Sequence, residues 1–500
     1  MEAFLQPLQG LAEFEEIKKR CGANRGILNV SGCMESQKVH LMYGLSGLFP
    51  CHLILADDER NAKEIYEDYR FYDKNVYFYP AKDLLFFQAD IHGNLLIRQR
   101  MRVIRALLEQ EEVTVVTSID GCMDFLMPLE KIKSSLLHFK SDSVIDLDQL
   151  KADLVDLGYE RVGQVELPGQ FSVRGGIIDI YPLTEENPWR IELWDDEIDS
   201  IRSFDAESQR SLENIDEITI YPATEKMDCE DMVSFLDYFP EEKTLLFLDE
   251  LNHLAENGEG VEEEYRQSRM HREEKGEANL PEQWLCGFQE VQKKLNRRNC
   301  VAVSALSPRR SCWKINEEFD LTVKSVDSYN SSFELLVKDL LQYKSQGYRI
   351  ALLSGSRTRA ERLAKDLSEE GLNAFYRQDT DRIISPGEIM VVYGHARRGF
   401  QYPLIKFAVM TETDIFGKEQ KKRKKKKKYS GNRIQDFAEL SIGDLVVHEK
   451  HGLGIYRGIE KVEVDRVVKD YIKIEYRGGS NLYILATQLD ALQKLSLIHI

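Results

Sequence analysis

The chain has 500 residues, 42% hydrophobic and 30% charged, with a formal charge of −18. That length allows roughly three to five domains with their own cores, and that charge argues against a protein that wraps nucleic acid over its whole surface. No apolar run approaches about 18–20 residues, so no membrane span is expected.

The opening segment lacks the charged-then-apolar order of a signal peptide. Residues 1–125 then alternate strands and helices: Gly26–Gly32 as strand, Ser36–Leu48 as helix, Leu53–Ala56 as buried strand, Asp58–Phe71 as helix, Val76–Tyr79 as strand, Arg98–Leu108 as amphipathic helix and Val113–Thr117 as strand. That order predicts a parallel sheet covered by helices. The first strand-to-helix turn runs from Gly32 to Val39 and carries Lys38 at the lysine position of a phosphate-binding loop. A working loop needs glycine before the lysine and Ser or Thr after it. Gln37 and Val39 stand there, and Glu35 puts an anion where phosphate would sit, so the loop reads as a relic without nucleotide.

Residues 126–225 read as an inserted α+β module, opening near Pro128, with a short helix Asp148–Leu157 ended by Gly158 and a close at Ile218–Pro222. Its centre, Gln170–Asp205, reads as three short strands: Phe171 and Val173 alternate with polar neighbours, Ile177–Tyr181 is an apolar run, and Arg190–Trp194 alternates again. Gly175 and Gly176 permit a sharp bend. By alternation Arg190, Glu192 and Trp194 share a side, with Arg174 at the bend nearby. Two guanidiniums beside an exposed indole have the composition of a protein-binding hot spot. A Trp half-buried beside two solvated arginines fits the same pattern, because alternation does not say which face is inward.

Residues 226–330 read as a return to the first core, with the strand Leu245–Leu248, a long charged helix near Glu262–Lys275 and the strand Val301–Ala305. Asp249 and Glu250 end the first of these strands like a Walker B pair. With the phosphate cradle lost, they are expected to form a solvated acidic turn without a partner. Residues 331–417 read as a further α/β unit, with helices Phe333–Lys344 and Arg357–Glu370 and strands Arg349–Leu353 and Ile389–Tyr393. It carries no catalytic signal and reads as a spacer.

Residues 418–437 form a basic linker in which Lys421–Lys428 are consecutive cations; like charge at that density stays extended. Weak, salt-sensitive attraction to DNA is the one nucleic-acid contact it suggests. From 438 to 500, about five short strands around the glycine-rich turn Gly452–Gly454 predict a small β-barrel. His448 and His451 have no third ligand and read as strand-end and turn residues, so no metal is expected. The eight cysteines show no CxxC spacing and read as reduced thiols of a cytoplasmic protein.

Arg174-Gly175-Gly176 with the following IIDIYP, then Arg190–Ile198 with Ile201-Arg202 and Phe204-Asp205, resemble the UvrB-homology region of bacterial transcription-repair coupling factors. The 440–485 strands resemble the RNA polymerase-interacting domain that these factors share with CarD-type regulators. The resemblance implies a multidomain α/β chain: a degenerate P-loop domain, an inserted UvrA-binding module, a spacer and a CarD-like barrel. It implies UvrA contact through Arg174, Arg190 and Trp194, the last an indole where the family often has phenylalanine. It also implies β-strand pairing with the polymerase β subunit through Val462, Glu463 and Val464, with Ile484 on the neighbouring strand. Gly32, Lys38, Asp249 and Glu250 become a nucleotide loop no longer in use. UvrB keeps a working loop in this domain, whereas the coupling factors do not. The family continues into an ATP- and Mg-dependent DNA-translocase motor of which this chain shows no motif, and its last residues, SLIHI, fit the pattern poorly. A truncated N-terminal part is therefore expected, with no catalytic residues and no cofactor of its own, serving recruitment and docking. A UvrB-like excision ATPase and a CarD-like polymerase regulator are the competing readings.

Overall fold

The computed structural model describes residues 1–23, 25–82, 94–225, 231–275, 285–307, 312–417, 432–433, 443–448, 452–464, 467–475, 481–485 and 492–494. The basic run 421–428, His451 and the last five residues lie outside them.

Within the first compact unit, seven strands form a parallel sheet in the order Ile315–Asp320, Gly26–Ser31, Asn299–Val303, Thr244–Asp249, Cys51–Ala56, Val113–Ser118, Val76–Tyr79. Four of these are buried at every position. Burial on both faces explains why they read as mainly apolar stretches and not as strict apolar–polar alternation. Two strands from beyond residue 240 take the middle of the sheet, so the chain does come back to its first core. The helices Glu35–Ser46 and Glu59–Tyr72 pack on it, the latter started by Asp58, whose carboxylate accepts from the Asn61 N–H (2.6 Å).

Between the visits to that sheet stands a second, six-stranded one, in the order Ser211–Asn214, Glu197–Phe204, Trp189–Trp194, Ile177–Ile180, Gln170–Arg174, Glu160–Arg161. Its pairs are antiparallel except the last. The stretch expected to hold three strands holds four, because Glu197–Phe204 folds back on Trp189–Trp194 across a two-residue turn with Asp195 at φ +61°. A bulge hides this strand from a period-2 reading: pairing slips between Glu192 and Leu193, so Ile198 and Ile201 are both buried although three apart. Phe171, Ile178, Ile180, Trp189 and Ile191 face a core continuous with Leu53 and Tyr79 of the first sheet and with Phe235 of the short 3-10 helix Phe235–Tyr238. Arg100 ties both ends of the module to that sheet. It donates to Asp124 (2.7 Å) and to the Pro80 carbonyl (2.7 Å), pairs with Glu225 and lies 4.2 Å over the Tyr79 ring.

The third sheet runs Lys324–Ser325, Phe400–Tyr402, Phe407–Thr411, Arg349–Ser354, Glu388–Tyr393, Asn373–Arg377, flanked by helices Phe333–Ser345 and Arg357–Glu369. Its Met390, Phe400 and Phe407 share a core with Leu28 of the first sheet and with Val39 and Tyr69 of the helices on it, wedged by Phe4 and Leu8 from the N-terminal helix. His40 is enclosed there. Its Nε2–H donates to the Phe4 carbonyl (2.9 Å), and its Nδ1 accepts from the Tyr402 hydroxyl (3.1 Å). Burial pushes this imidazole down to about 4. The unfolded chain, with its histidine near 6.5, takes up the proton first, so stability is present above about 6.5 and is lost as pH falls toward 4. His40→Gln is expected to lack this loss. The gap in unfolding free energy between wild type and variant should narrow between pH 7 and pH 4.5 in urea denaturation.

The C-terminal unit is an antiparallel sheet in the order Asn432–Arg433, Leu492–Lys494, Leu445–His448, Gly452–Val464, Val467–Glu475, Asn481–Leu485. Val446, Tyr456, Ile472 and Ile474 are buried within it. Among the described residues, no pairing joins the first strand to the last to close a barrel. Among the same residues, no helix is long and apolar enough to cross a membrane.

Candidate functional site

Strand alternation sets the outer face of the inserted sheet. Ser172 and Arg174, then Ile177 and Asp179, then Arg190, Glu192 and Trp194 lie on it, because Asp179 stands opposite Ser172 on one neighbour and opposite Arg190 on the other. The Trp194 indole is 80% exposed. The half-buried alternative for this residue is thereby excluded, and Trp189, on the opposite face, is the indole that enters the core.

The arginines are less alike than the sequence suggests. Arg174 is 45% exposed, and its Nη2 donates to Asp179 Oδ2 (2.5 Å). Arg190 is only 15% exposed, so two solvated guanidiniums are not what the fold presents. Its Nε and Nη2 grip Asp179 bidentately (2.6 and 3.0 Å), Nη2 also reaches Gln209 Oε1 (3.1 Å), and the group lies 4.4 Å over the Phe204 ring. Hydrogen bonding to Asp179 holds the Arg190 guanidinium still more firmly protonated. Arg202 stands directly opposite Arg190, a like-charge pair that would destabilise the sheet. Glu192, paired with Arg202, offsets it. Asp179 was missed in the sequence reading. The signal was a lone carboxylate inside an apolar run, which has to find a cation when buried.

The former phosphate loop is also rebuilt. Gly32 has φ +78°, and a Cβ there would sit 2.1 Å from the Leu321 carbonyl oxygen, so glycine is required by packing alone. Gln37 accepts from the Met34 N–H (3.0 Å) and donates to Tyr402 (3.0 Å). Ser36 donates to Asp68 (2.8 Å) and accepts from the Arg398 N–H (3.1 Å), while Glu35 lies 3.8 Å from Arg398.

The expectation of a partnerless, solvated Asp249–Glu250 turn is corrected. Lys38 Nζ lies 2.7 Å from Asp249 Oδ1 and 2.6 Å from Glu250 Oε1, and Asp249 is 2% exposed. Asn61 donates to the other Asp249 oxygen (2.7 Å), and the Ala305 N–H donates to Glu250 (2.8 Å). A strand-end carboxylate at the middle of a parallel sheet is too enclosed to stay charged alone, and the loop lysine supplies its counter-charge. Burial pushes the Asp249 carboxyl up while Lys38 and Asn61 pull it back. The two carboxylates keep the ammonium charged despite its own burial. The lysine that would meet phosphate is therefore neutralised from within. Among the described residues, no cluster of three or more His, Cys, Asp or Glu side chains could hold a metal ion.

In the C-terminal sheet, Gly452–Val464 pairs with Leu445–His448 only as far as Ile455, whereas Ile459–Val464 pairs with Val467–Ile472. Among the described residues, the other edge of 459–464 is therefore unpaired. Contrary to the expectation, Ile484 is not on the strand beside Val462. A hairpin places Val467–Glu475 next to Val462, and Ile484 pairs with Ile472 on the far side of that strand.

With this geometry in hand, two family models match the chain: a UvrB interaction domain over residues 137–225, and a CarD-like/TRCF RID domain over residues 440–496. A transcription-repair-coupling factor from Bacillus subtilis (strain 168) is 30% identical over 93% of this chain and 46% of its own length. The chain is a homologue of the transcription-repair-coupling factors. Those of Staphylococcus aureus (strain MRSA252) and Staphylococcus epidermidis (strain RP62A) are 27% and 28% identical, each over 84% of this chain. The chain spans less than half the length of these coupling-factor relatives. The outer face with Trp194 falls inside the first matched domain, and the unpaired edge 459–464 inside the second.

Proposed function

We propose that this chain is an adaptor that couples transcription to nucleotide excision repair, recruiting UvrA through the Arg174–Arg190–Trp194 face and docking on the β subunit of RNA polymerase through the 462–464 edge. The observation that carries the reading is the Trp194 indole held in water on a sheet face braced by paired arginines, within the span matched by a UvrB interaction domain. An exposed aromatic beside ordered arginine is what an interface desolvates at greatest gain. The edge at Val462, Glu463 and Val464, unpaired among the described residues, suits addition of a partner strand by backbone hydrogen bonds. Ile484 lies on another strand and is left out of that contact. ATP and Mg belong to the motor of the longer relatives in this reading, and the Lys38 site takes neither. The basic run adds at most weak DNA attraction.

The test is a paired pull-down with purified UvrA and core polymerase. Arg174→Ala with Trp194→Ala should lose UvrA and keep polymerase. Val462→Arg should do the reverse, weakening docking by about 2 kcal/mol or more by setting a charge on the pairing strand. Loss of both partners in either variant would count against separate sites. A CarD-like regulator predicts polymerase binding without UvrA, and an excision ATPase predicts heat on titration with Mg-ATP.

A further inference from the structure

The geometry points to Asp179 as the positioning residue of the UvrA-facing surface, acting only through the two arginines that it holds. This rests on the UvrA reading above and adds how the surface is preorganised and what chemistry it seeks.

Asp179 is fully buried in the strand Ile177–Ile180, whose other three residues are isoleucine. A carboxylate there is costly unless paired. The pairing is not with one cation but with two, from the strands on either side: Arg174 at 2.5 Å, and Arg190 at 2.6 and 3.0 Å. Free arginine side chains sample many rotamers, and a partner that orders them must offset that loss. Much of the ordering that a partner would otherwise impose on them is thus already done before contact.

Two cations share one anion, so the trio keeps one excess positive charge, while the neighbouring Arg202–Glu192 pair is neutral. Arg174 is the exposed member through which that charge reaches solvent. The complementary surface is therefore a carboxylate beside an apolar recess for the Trp194 ring, with Arg174 donating to the carboxylate and Asp179 fixing its approach.

Isothermal titration of purified UvrA tests this with wild type, Asp179→Asn, Arg174→Ala/Arg190→Ala, and the triple variant. Asp179→Asn keeps the size and removes the charge, and should weaken binding at least tenfold. In the alanine background the same change should cost nothing further. That non-additivity is a readout a purely structural carboxylate would not give. Wild-type affinity in Asp179→Asn, or an equal loss in both backgrounds, overturns the proposal. If Asp179→Asn also loses polymerase binding and thermal stability, Asp179→Glu decides. With the charge kept and displaced by one methylene, affinity should fall in a chain that still binds polymerase, and unchanged affinity overturns the role. Trp194→Ala separates the two readings. If it and the double alanine variant both bind UvrA like wild type, the UvrA assignment itself is wrong. If they weaken binding and Asp179→Asn does not, only the positioning role is.

Discussion

Trp194→Ala is expected to weaken binding of UvrA by at least about 2 kcal/mol, roughly a thirtyfold rise in Kd, and to leave the melting temperature almost unchanged. The two halves of that result come from one fact. With 80% of its surface in water, the indole contributes little to the core, so its removal should move stability by no more than about 0.5 kcal/mol. The same area is what a partner would bury, on the sheet face that also carries a guanidinium held at 2.5 Å by Asp179. Isothermal titration and a thermal melt on the same sample check both. Trp189→Ala should behave in the opposite sense, because that ring is buried in the core shared with the parallel sheet. Its loss is expected to cost about 3–5 kcal/mol of stability.

Lys38→Met should be the most destabilising change in the former nucleotide loop, by about 3–5 kcal/mol, since it strands a buried carboxylate without its cation. In the variant, burial raises the folded pKa of Asp249 above its unfolded value with no ammonium to oppose it. The penalty is then fully present above that raised pKa and is relieved as pH falls and the carboxyl takes up a proton. The stability gap to wild type should accordingly narrow toward acid pH. Adding Asp249→Asn to Lys38→Met should recover much of the loss, because removing both members of a buried pair costs less than breaking it. Denaturant unfolding at pH 7 and pH 4.5 measures both effects. If the lysine instead served a bound phosphate, Lys38→Met would cost nucleotide affinity and little stability.

Much of the architecture was legible in the sequence. The apolar runs around Ile54, Val115 and Phe247 announce strands buried on both faces, and Asp58 marks its helix start. Relations across long separations were not. Lys38 and Asp249 are 211 residues apart, and only the sheet order places the loop of one strand beside the end of another. Their loss of nucleotide chemistry could be read from Gln37 and Val39, but their union as an ion pair could not. The strand Glu197–Phe204 was hidden because a bulge breaks its period. Ile484 was placed one strand too near Val462 because the resemblance was carried over by residue and gives no pairing order. At the candidate face, strand alternation left Trp194 open between water and a half-buried position, Arg174 was placed on water as found, and Arg190 was not: Gln209 and Phe204, which cover it, come from a separate turn and strand.

The most direct test of an adaptor is whether one molecule holds both partners at once. In sedimentation-velocity runs of the chain with UvrA and core RNA polymerase, wild type is predicted to form a ternary species larger than either binary complex. Arg174→Ala/Trp194→Ala should leave only the polymerase complex, and Val462→Arg only the UvrA complex. Displacement of one partner by the other, or a ternary species undiminished in the double variant, would contradict the account.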